Sequence, residues 1–262
     1  MLKLNLVHKE KSDIDYSISR FPDGEVQITL GEFDRKHSIA VKCRITSVEE
    51  LFILMQVNDI LTRQAVVWDL HIAYLMGMRM DRVMDFNRPF TLSVVAEIIK
   101  NFSCNHISVR EPHSDRTIQL LGDKAEGLYP ELQVGLAQVV FPDKGAYVRY
   151  GHMFSDRRCI VCDKVRDLET GNILSIKVTN PEYIDGGPLL VIDDLCDAGG
   201  TFIGIAGELR KYTNEKIGIS VTHMVNRVGI RNLSATYDRV YFTNSYKDWE
   251  NLPENCTQIE II

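Results

Sequence analysis

The residues best suited to chemistry lie in one short stretch, Asp193-Asp194-Leu195-Cys196-Asp197-Ala198-Gly199-Gly200-Thr201. Two adjacent carboxylates suit ribose hydroxyls or a hydrated magnesium ion. A Gly-Gly turn entering a helix suits phosphate, because glycine has no Cβ to hold an anion off the backbone N–H groups. No Gly-Lys-Ser/Thr follows, so the stretch is not a Walker loop, and the G-x-G-x-x-G of dinucleotide sites is absent. Four further groups carry candidate chemistry. Arg79 and Arg82 flank Asp81, and guanidinium forks at a strand end bind polyphosphates well. Lys164 and Arg166 stand in the charged run Asp163–Gly171, His113 in Glu111-Pro112-His113-Ser114-Asp115, and Asp143 in Pro142-Asp143-Lys144-Gly145. By composition alone the first three read as a solvated basic turn, a solvated hairpin and a structural histidine. Cys159 and Cys162 form one C-x-x-C inside what reads as a strand, without the second pair a zinc site wants, and are expected to be core cysteines.

The elements around these residues follow from hydrophobic period. Leu189–Ile192 is an unbroken aliphatic run, the pattern of a strand buried on both faces. Phe202, Ile205, Ala206 and Leu209 recur at helical spacing. Strand, acidic glycine loop and helix therefore follow one another, with Asp193 and Asp194 at the carboxyl end where open α/β sheets bind ligands. Earlier in the chain, Pro22-Asp23-Gly24 is a turn between hairpin strands, the second carrying Val26, Ile28 and Leu30. Ser47-Val48-Glu49-Glu50 is a capping box, opening a helix with Leu51, Leu54, Met55 and Leu61 on one face. Strands over 38–45 and 65–74 flank that helix, so the order is βαβ and the sheet should be parallel. A helix over 90–102, strands over 107–110, 136–141 and 158–162, and two more over 217–224 and 239–243 complete the reading. The region 122–134 lacks periodicity and marks the crossover to a second βα unit. The expected division is residues 1–125 and 126–262.

Several of these segments resemble the ribose-phosphate diphosphokinases (PRPP synthetases), which share the Asp193–Thr201 type of loop with type I phosphoribosyltransferases. Arg20-Phe21-Pro22-Asp23-Gly24-Glu25 is similar to the synthetases' adenine-holding segment, which the transferases lack. Arg79, Asp81 and Arg82 match the family's Tyr-Ala-Arg-Gln-Asp-Arg-Arg, with Met80 in place of glutamine and Gly77 where the aromatic stands. His113 matches the family's Asp-Leu-His, Asp143 its Ser-Pro-Asp-x-Gly, Lys164 and Arg166 its mobile Lys-x-Arg loop, and Thr222-His223 its Thr-His. The Phe-Ser-Gly that follows in the family is replaced by Met224–Gly229, and Ala198 replaces the first threonine of Asp-Thr-Gly-Gly-Thr.

The resemblance implies an α/β fold of two doubly wound parallel-sheet domains of the phosphoribosyltransferase-like type, with the active site between them. It implies an N-terminal ATP-binding-side domain, with ATP on Phe21, Asp23, Glu25, Arg79, Asp81 and Arg82, and a C-terminal phosphoribosyl-binding domain. There the ribose phosphate lies on Asp193, Asp194, Asp197, Ala198, Gly199, Gly200 and Thr201. It implies Mg2+ at His113 and Asp143, catalysis by Lys164 and Arg166, and a homo-oligomer. The reaction is transfer of the β,γ-diphosphate of ATP to the C1 hydroxyl of ribose 5-phosphate. Three alternatives stay open: transfer to a larger acceptor such as ADP-ribose in NAD salvage, a phosphoribosyltransferase, and an inactive regulatory partner of a synthetase.

The whole chain is consistent with a small-molecule enzyme. Its 262 residues can bury a large core. Thirty basic and thirty-six acidic residues give a net charge of −6, which favours neither nucleic acid nor an anionic membrane. No apolar run nears the ~18 residues of a membrane span. Six cysteines are too sparse for a disulfide scaffold and fit a reducing compartment, so a cytoplasmic protein is expected.

Overall fold

The computed structural model describes residues 1–129, 135–166 and 173–262, with side chains at all of these except 165–166 and 173–174. It falls into two units, Met1–Pro130 with Ile261–Ile262, and Glu131–Glu260.

In the first unit β1 (Leu2–Asn5) is followed by a hairpin, β2 (Tyr16–Arg20) and β3 (Val26–Leu30). Next come β4 (Ile39–Ile45), β5 (Trp68–Leu75), β6 (His106–Arg110) and β7 (Ala125–Leu128). These four and β1 form a parallel sheet in the order β1-β4-β5-β6-β7. Helices α1 (Val48–Arg63), α2 (Thr91–Lys100) and α3 (Asp115–Leu121) make the crossovers. The expected capping box starts α1: Ser47 Oγ accepts from Glu50 N at 3.2 Å, and Glu50 Oε2 accepts from Ser47 N at 3.0 Å. Leu51, Leu54 and Leu61 are buried as their spacing requires, whereas Met55 is exposed and Val57 takes the inward position. The hairpin docks on α1 through Gln56, whose amide accepts from Ile28 N and donates to Val26 O, both at 2.9 Å.

The second unit contains β8 (Gln138–Phe141), β9 (Ile160–Arg166), β10 (Ile173–Val178), β11 (Leu189–Cys196), β12 (Ile217–Met224), β13 (Arg239–Thr243) and β14 (Cys256–Ile259). They pair in the order β10-β9-β8-β11-β12-β13-β14, all parallel except β10 against β9. Helices α4 (Lys144–Tyr150), α5 (Gly200–Leu209) and α6 (Arg227–Thr236) complete it. From β8 the chain moves outward to β9, and from β11 it moves the other way to β12. The gap between β8 and β11 is therefore a topological switch point, where ligands bind at the strands' carboxyl ends. Val191, Ile205, Leu209 and Ile219 are each fully buried and belong to this core. Cys162 is buried in β9 as expected of a core cysteine, whereas Cys159 lies just before the strand and is half-buried; both are free thiols.

One expectation needs correction here. Lys164 does not stand on a loop: β9 runs through Arg166, and Lys164 pairs with Ile176 of β10. The alternation Ile160-Val161-Cys162-Asp163-Lys164-Val165-Arg166 meets an alternating partner in Ile173–Val178, so the hairpin ladder continues past the point where charge density suggested a turn. Residues 167–170 and Gly171 of the expected loop lie outside the described residues. No helix among the described residues is long and apolar enough to cross a membrane.

Candidate active site

In the second unit, the carboxyl ends of three neighbouring strands carry Lys164, Asp143 and the pair Asp193–Asp194. Asp143 follows β8 and caps α4, its Oδ1 accepting from Ala146 N at 2.9 Å. Its other oxygen is ion-paired with Lys164 Nζ, each side chain about a quarter exposed. Burial alone would raise the Asp143 pKa, but the Lys164 contact and the Ala146 N–H outweigh it and hold the carboxyl below the ordinary range.

The aspartate pair is bridged by a residue that sequence reasoning missed. Arg149, in the last turn of α4, places Nη2 2.8 Å from Asp193 Oδ1 and 2.9 Å from Asp194 Oδ1. Asp194 is 3% exposed, and a buried carboxylate pair needs such a counter-charge. That need was the available signal: two adjacent aspartates at the end of a buried strand require a cation from elsewhere in the chain. One guanidinium serves two carboxylates, so a negative excess remains. Burial first, and then the charge of Asp194, push Asp193 well above the usual carboxylate range, with Arg149 acting against them.

This shift has a testable sign. A folded-state pKa raised above the unfolded value means that the native state binds the proton more tightly, so stability falls as pH rises from about the unfolded value through the folded one. Asp193→Asn is accordingly expected to raise the melting temperature at pH 7–8. The gain should shrink as pH falls to and below the unfolded carboxylate value of about 3.9, where wild-type Asp193 becomes protonated in both states. A melting temperature at pH 7.5 below that of wild type would contradict this. Asp143 has the opposite sign: its contribution is present above the unfolded value and is lost as pH falls toward its depressed folded pKa.

The glycine loop is held from behind by α6. Gly199 takes the left-handed conformation (φ +85°) that lets the chain turn into α5. Asn232 Nδ2 donates to Ala198 O at 2.7 Å, and Asn226 Nδ2 donates to Asp197 Oδ1 at 3.0 Å. Gly229 lies so close that a Cβ there would stand 2.0 Å from Asp197 O. Tyr237 OH donates to Phe202 O at 2.7 Å, tying the far end of α6 to α5. The segment Met224–Gly229, which departs from the family's pattern, thus supplies the support of the loop. The first turn of α5 points its N–H groups outward, as an anion site requires. Ala198 is exposed and Gly200 faces open space. His223 is fully buried, with Nδ1 2.8 Å from Ser245 Oγ.

The first unit brings together the ends of β5 and β6. Asp81 is 7% exposed and takes two bonds from Arg82, Nε to Oδ1 at 2.8 Å and Nη2 to Oδ2 at 3.2 Å. The hydrogen bonds from Arg82 lower the Asp81 pKa most, and Ser114 and His113 add to the effect. Part of the Arg82 fork is thus occupied internally, while Arg79 is exposed. Gly77 has φ +88°, and a Cβ there would lie 3.3 Å from Leu92 N at the start of α2. An aromatic residue at that position would be strained, which accounts for this departure from the family's segment. Glu111 and His113 both have positive φ, 45° and 61°, on either side of Pro112. Non-glycine strain of this kind clusters at functional sites. On the hairpin, Gly24 has φ +96°, Asp23 Oδ1 accepts from Glu25 N at 3.2 Å, and Arg20 pairs with Glu49. Phe21 is about half exposed, and with Glu25 and Phe52 it borders a groove of about 670 Å3.

Among the described residues no group of three or more His, Cys, Asp or Glu could hold a metal. A magnesium ion that arrives with a nucleotide needs only one or two protein oxygens, and the ionised, half-buried Asp143 fits that role. The imidazole of His113 is a donor that magnesium does not favour.

No family model matches the chain. It is similar to the ribose-phosphate pyrophosphokinase of Pyrococcus furiosus, 25% identical over 97% of this chain and 92% of that protein. The ribose-phosphate pyrophosphokinase of Sulfolobus acidocaldarius is also 25% identical, over 92% of this chain and 86% of its own length. Among solved structures, the phosphoribosylpyrophosphate synthetase of Mycobacterium smegmatis superposes with a TM-score of 0.78 over 96% of this chain and 88% of that one, at 18% identity. That likeness shows the fold: α/β with parallel sheets.

Proposed function

We propose that this divergent member of the ribose-phosphate pyrophosphokinase family transfers the β,γ-diphosphate of ATP, as one unit, to the C1 hydroxyl of ribose 5-phosphate. The C1 oxygen attacks the β phosphorus, the bond from that phosphorus to the α-phosphate oxygen breaks, and AMP leaves. The proton of the C1 hydroxyl is released, and PRPP is the second product. The observation that carries this reading is the charge network Lys164–Asp143 and Arg149–Asp193–Asp194 at the β8/β11 switch point, from which the same strand, β11, runs on into the loop Asp197–Thr201.

Phosphoryl transfer asks little covalent help of a protein and much positioning and positive charge. Asp193 and Asp194 would accept the ribose hydroxyls, with Arg149 holding both carboxylates in place. The 5-phosphate would sit on the N–H groups of Asp197–Thr201. Lys164 exchanges Asp143 for the transferring phosphates, and Arg166 and Arg79 add cationic contacts. Phe21, Asp23 and Glu25, of this or a neighbouring subunit, would hold adenine, with Asp81 and Arg82 near the nucleotide and His113 on its phosphate side. Asp143 would contact the magnesium ion, which when bound neutralises charge on the β- and γ-phosphates.

One observation favours a second acceptor. Ala198 supplies no hydroxyl to the phosphate cradle and is exposed beside Gly200, which faces open space. A phosphate carrying a further group, as in ADP-ribose, offers fewer free oxygens and needs that room. Incubation with ATP, Mg2+ and either acceptor separates the cases. Acceptor-dependent AMP formation, faster with ribose 5-phosphate, is the expected result, and faster turnover of ADP-ribose would assign the larger acceptor. Absence of AMP with both would overturn the reaction, and base-dependent release of diphosphate from PRPP would place the chain with the phosphoribosyltransferases.

A further inference from the structure

Beside α4 the second unit carries a groove of about 610 Å3, lined by none of the residues assigned to the proposed reaction. That volume lies within the range of ligand-sized clefts, about 300–1,000 Å3. Tyr147 and Val148 of α4 form one part of its wall and Tyr183, beyond β10, another, with Phe154, Cys159 and Val161 as further lining. Gly151 lets the Tyr147 ring lie close, since a Cβ there would stand 2.9 Å from Tyr147 Cε2. The same ring meets Phe141 edge to face at 5.6 Å. Tyr147 is therefore held in place although about half exposed, and a pre-ordered wall lowers the entropy cost of binding. The backbone here is already satisfied: Asn180 Nδ2 donates to Cys159 O, and its Oδ1 accepts from Val161 N, both at 2.9 Å. A partner finds side chains to bind at these positions, not a free strand edge.

The charge of the groove has one sign. Among the described residues its lining includes Arg157, Arg158 and His152 and neither aspartate nor glutamate. The chain as a whole carries −6, so this cluster of cations runs against the net charge and draws acidic groups to one place. Arg158 stacks on the Tyr183 ring, 5.5 Å from its centroid, which keeps the guanidinium at the groove with its N–H groups free to donate. Arg157 packs on Phe154 at 6.0 Å and meets the exposed Asp156 only at 3.4 and 3.5 Å. Burial raises the Cys159 thiol pKa, with Arg157 acting against it, so the thiol stays neutral and adds no negative charge. Arginine and tyrosine beside apolar side chains are the groups that anchor protein–protein contacts. Together the cations and the apolar lining call for an acidic ligand with an apolar anchor. A nucleotide base fits less well, because Arg158 already covers one face of Tyr183 and leaves no two-sided aromatic clamp.

We propose that this groove docks a short acidic segment of another protein, its carboxylates on Arg157 and Arg158 and an aliphatic or aromatic side chain against Tyr147 and Val148. The proposal does not depend on the diphosphate-transfer reading. The probe is a short fluorescent peptide alternating glutamate with leucine, and a lysine–leucine peptide of the same length is the control. With the full chain, anisotropy should show saturable binding of the acidic peptide that weakens as salt rises, and none of the basic one. Backbone amide NMR shifts should move at Val148, Gly151, His152 and Arg158, while the Asp197–Thr201 amides stay in place. In R157Q/R158Q the apparent affinity should fall at least fivefold; both arginines are exposed, so the melting temperature should stay near that of wild type. Should that variant fail to fold, Val148→Glu, at a position 78% exposed, must still weaken binding several-fold by like charge. No saturable binding, equal affinity in the variants, or tighter binding of the lysine peptide would overturn the site. The same amide shifts produced by ATP alone or by a single-stranded oligonucleotide would also overturn it, in favour of a nucleotide ligand.

Discussion

Lys164→Ala should lower kcat by on the order of 10²–10³, the usual effect of removing one charged stabiliser from a transition state, while circular dichroism stays native. Lys164 is poised by its ion pair with Asp143, which keeps a flexible side chain at the carboxyl end of β9 instead of in solvent. In the proposed reaction the lysine acts on the moving phosphates, so kcat and kcat/KM for ATP should fall together, the signature of an interaction made in the transition state. The pair is about a quarter exposed, so its loss should cost less stability than that of a fully buried bridge. Lys164→Arg should restore part of the activity, since it keeps the charge but not the shape. Near-normal turnover in Lys164→Ala would remove the lysine from the mechanism.

Gly229→Ala should have the second large effect, at a residue proposed to touch no substrate. Its Cβ would stand 2.0 Å from Asp197 O, 3.1 Å from Cys196 Sγ and 3.2 Å from the Asp197 carbonyl carbon. Two of these are backbone atoms, so no rotamer change can relieve the clash, and either α6 or the Asp197–Thr201 loop must move. Overpacking of this kind costs about 1–3 kcal/mol, occasionally more, and a shift of about 1 Å in a binding loop can cost on the order of 10² in rate. The expected readout is a lower melting temperature with a raised KM for the sugar acceptor and a smaller change in KM for ATP. Gly207→Ala is the control: its Cβ would meet nothing within 4 Å, inside α5, so helix propensity should leave the protein unchanged or stabilise it by about 0.4–1 kcal/mol. Unchanged acceptor KM and stability in Gly229→Ala would show that α6 does not set the loop.

The parts of this molecule legible from sequence are those written in local pattern. The run Leu189–Ile192, the acidic pair and Gly199 specify strand, turn and helix without outside help, and the stripe Phe202, Ile205, Ala206, Leu209 is buried as its period requires. The capping box at Ser47 and the turn at Gly24 are equally local. What escaped detection depends on pairing across the chain. Arg149 acquires its role only when α4 lies beside β11, 44 residues away from Asp193 in sequence. Lys164 reads as loop until β10 pairs with it. Strand β7 carries too little periodicity to stand out, and its pairing with β6 supplies the order that its sequence lacks. Met224–Gly229 looked like lost family character, yet Asn226 and Gly229 fit the back of the loop at Asp197.

The fate of the β phosphorus of ATP tests the central claim most directly. ATP labelled at that phosphorus would be incubated with the protein, Mg2+ and ribose 5-phosphate or ADP-ribose, and the products resolved by phosphorus NMR. With at least one acceptor, AMP and a sugar diphosphate should form in equal amounts, with the label on the phosphorus attached to the C1 oxygen. Label that stays on the nucleotide as ADP, or no AMP with either acceptor, would contradict the account.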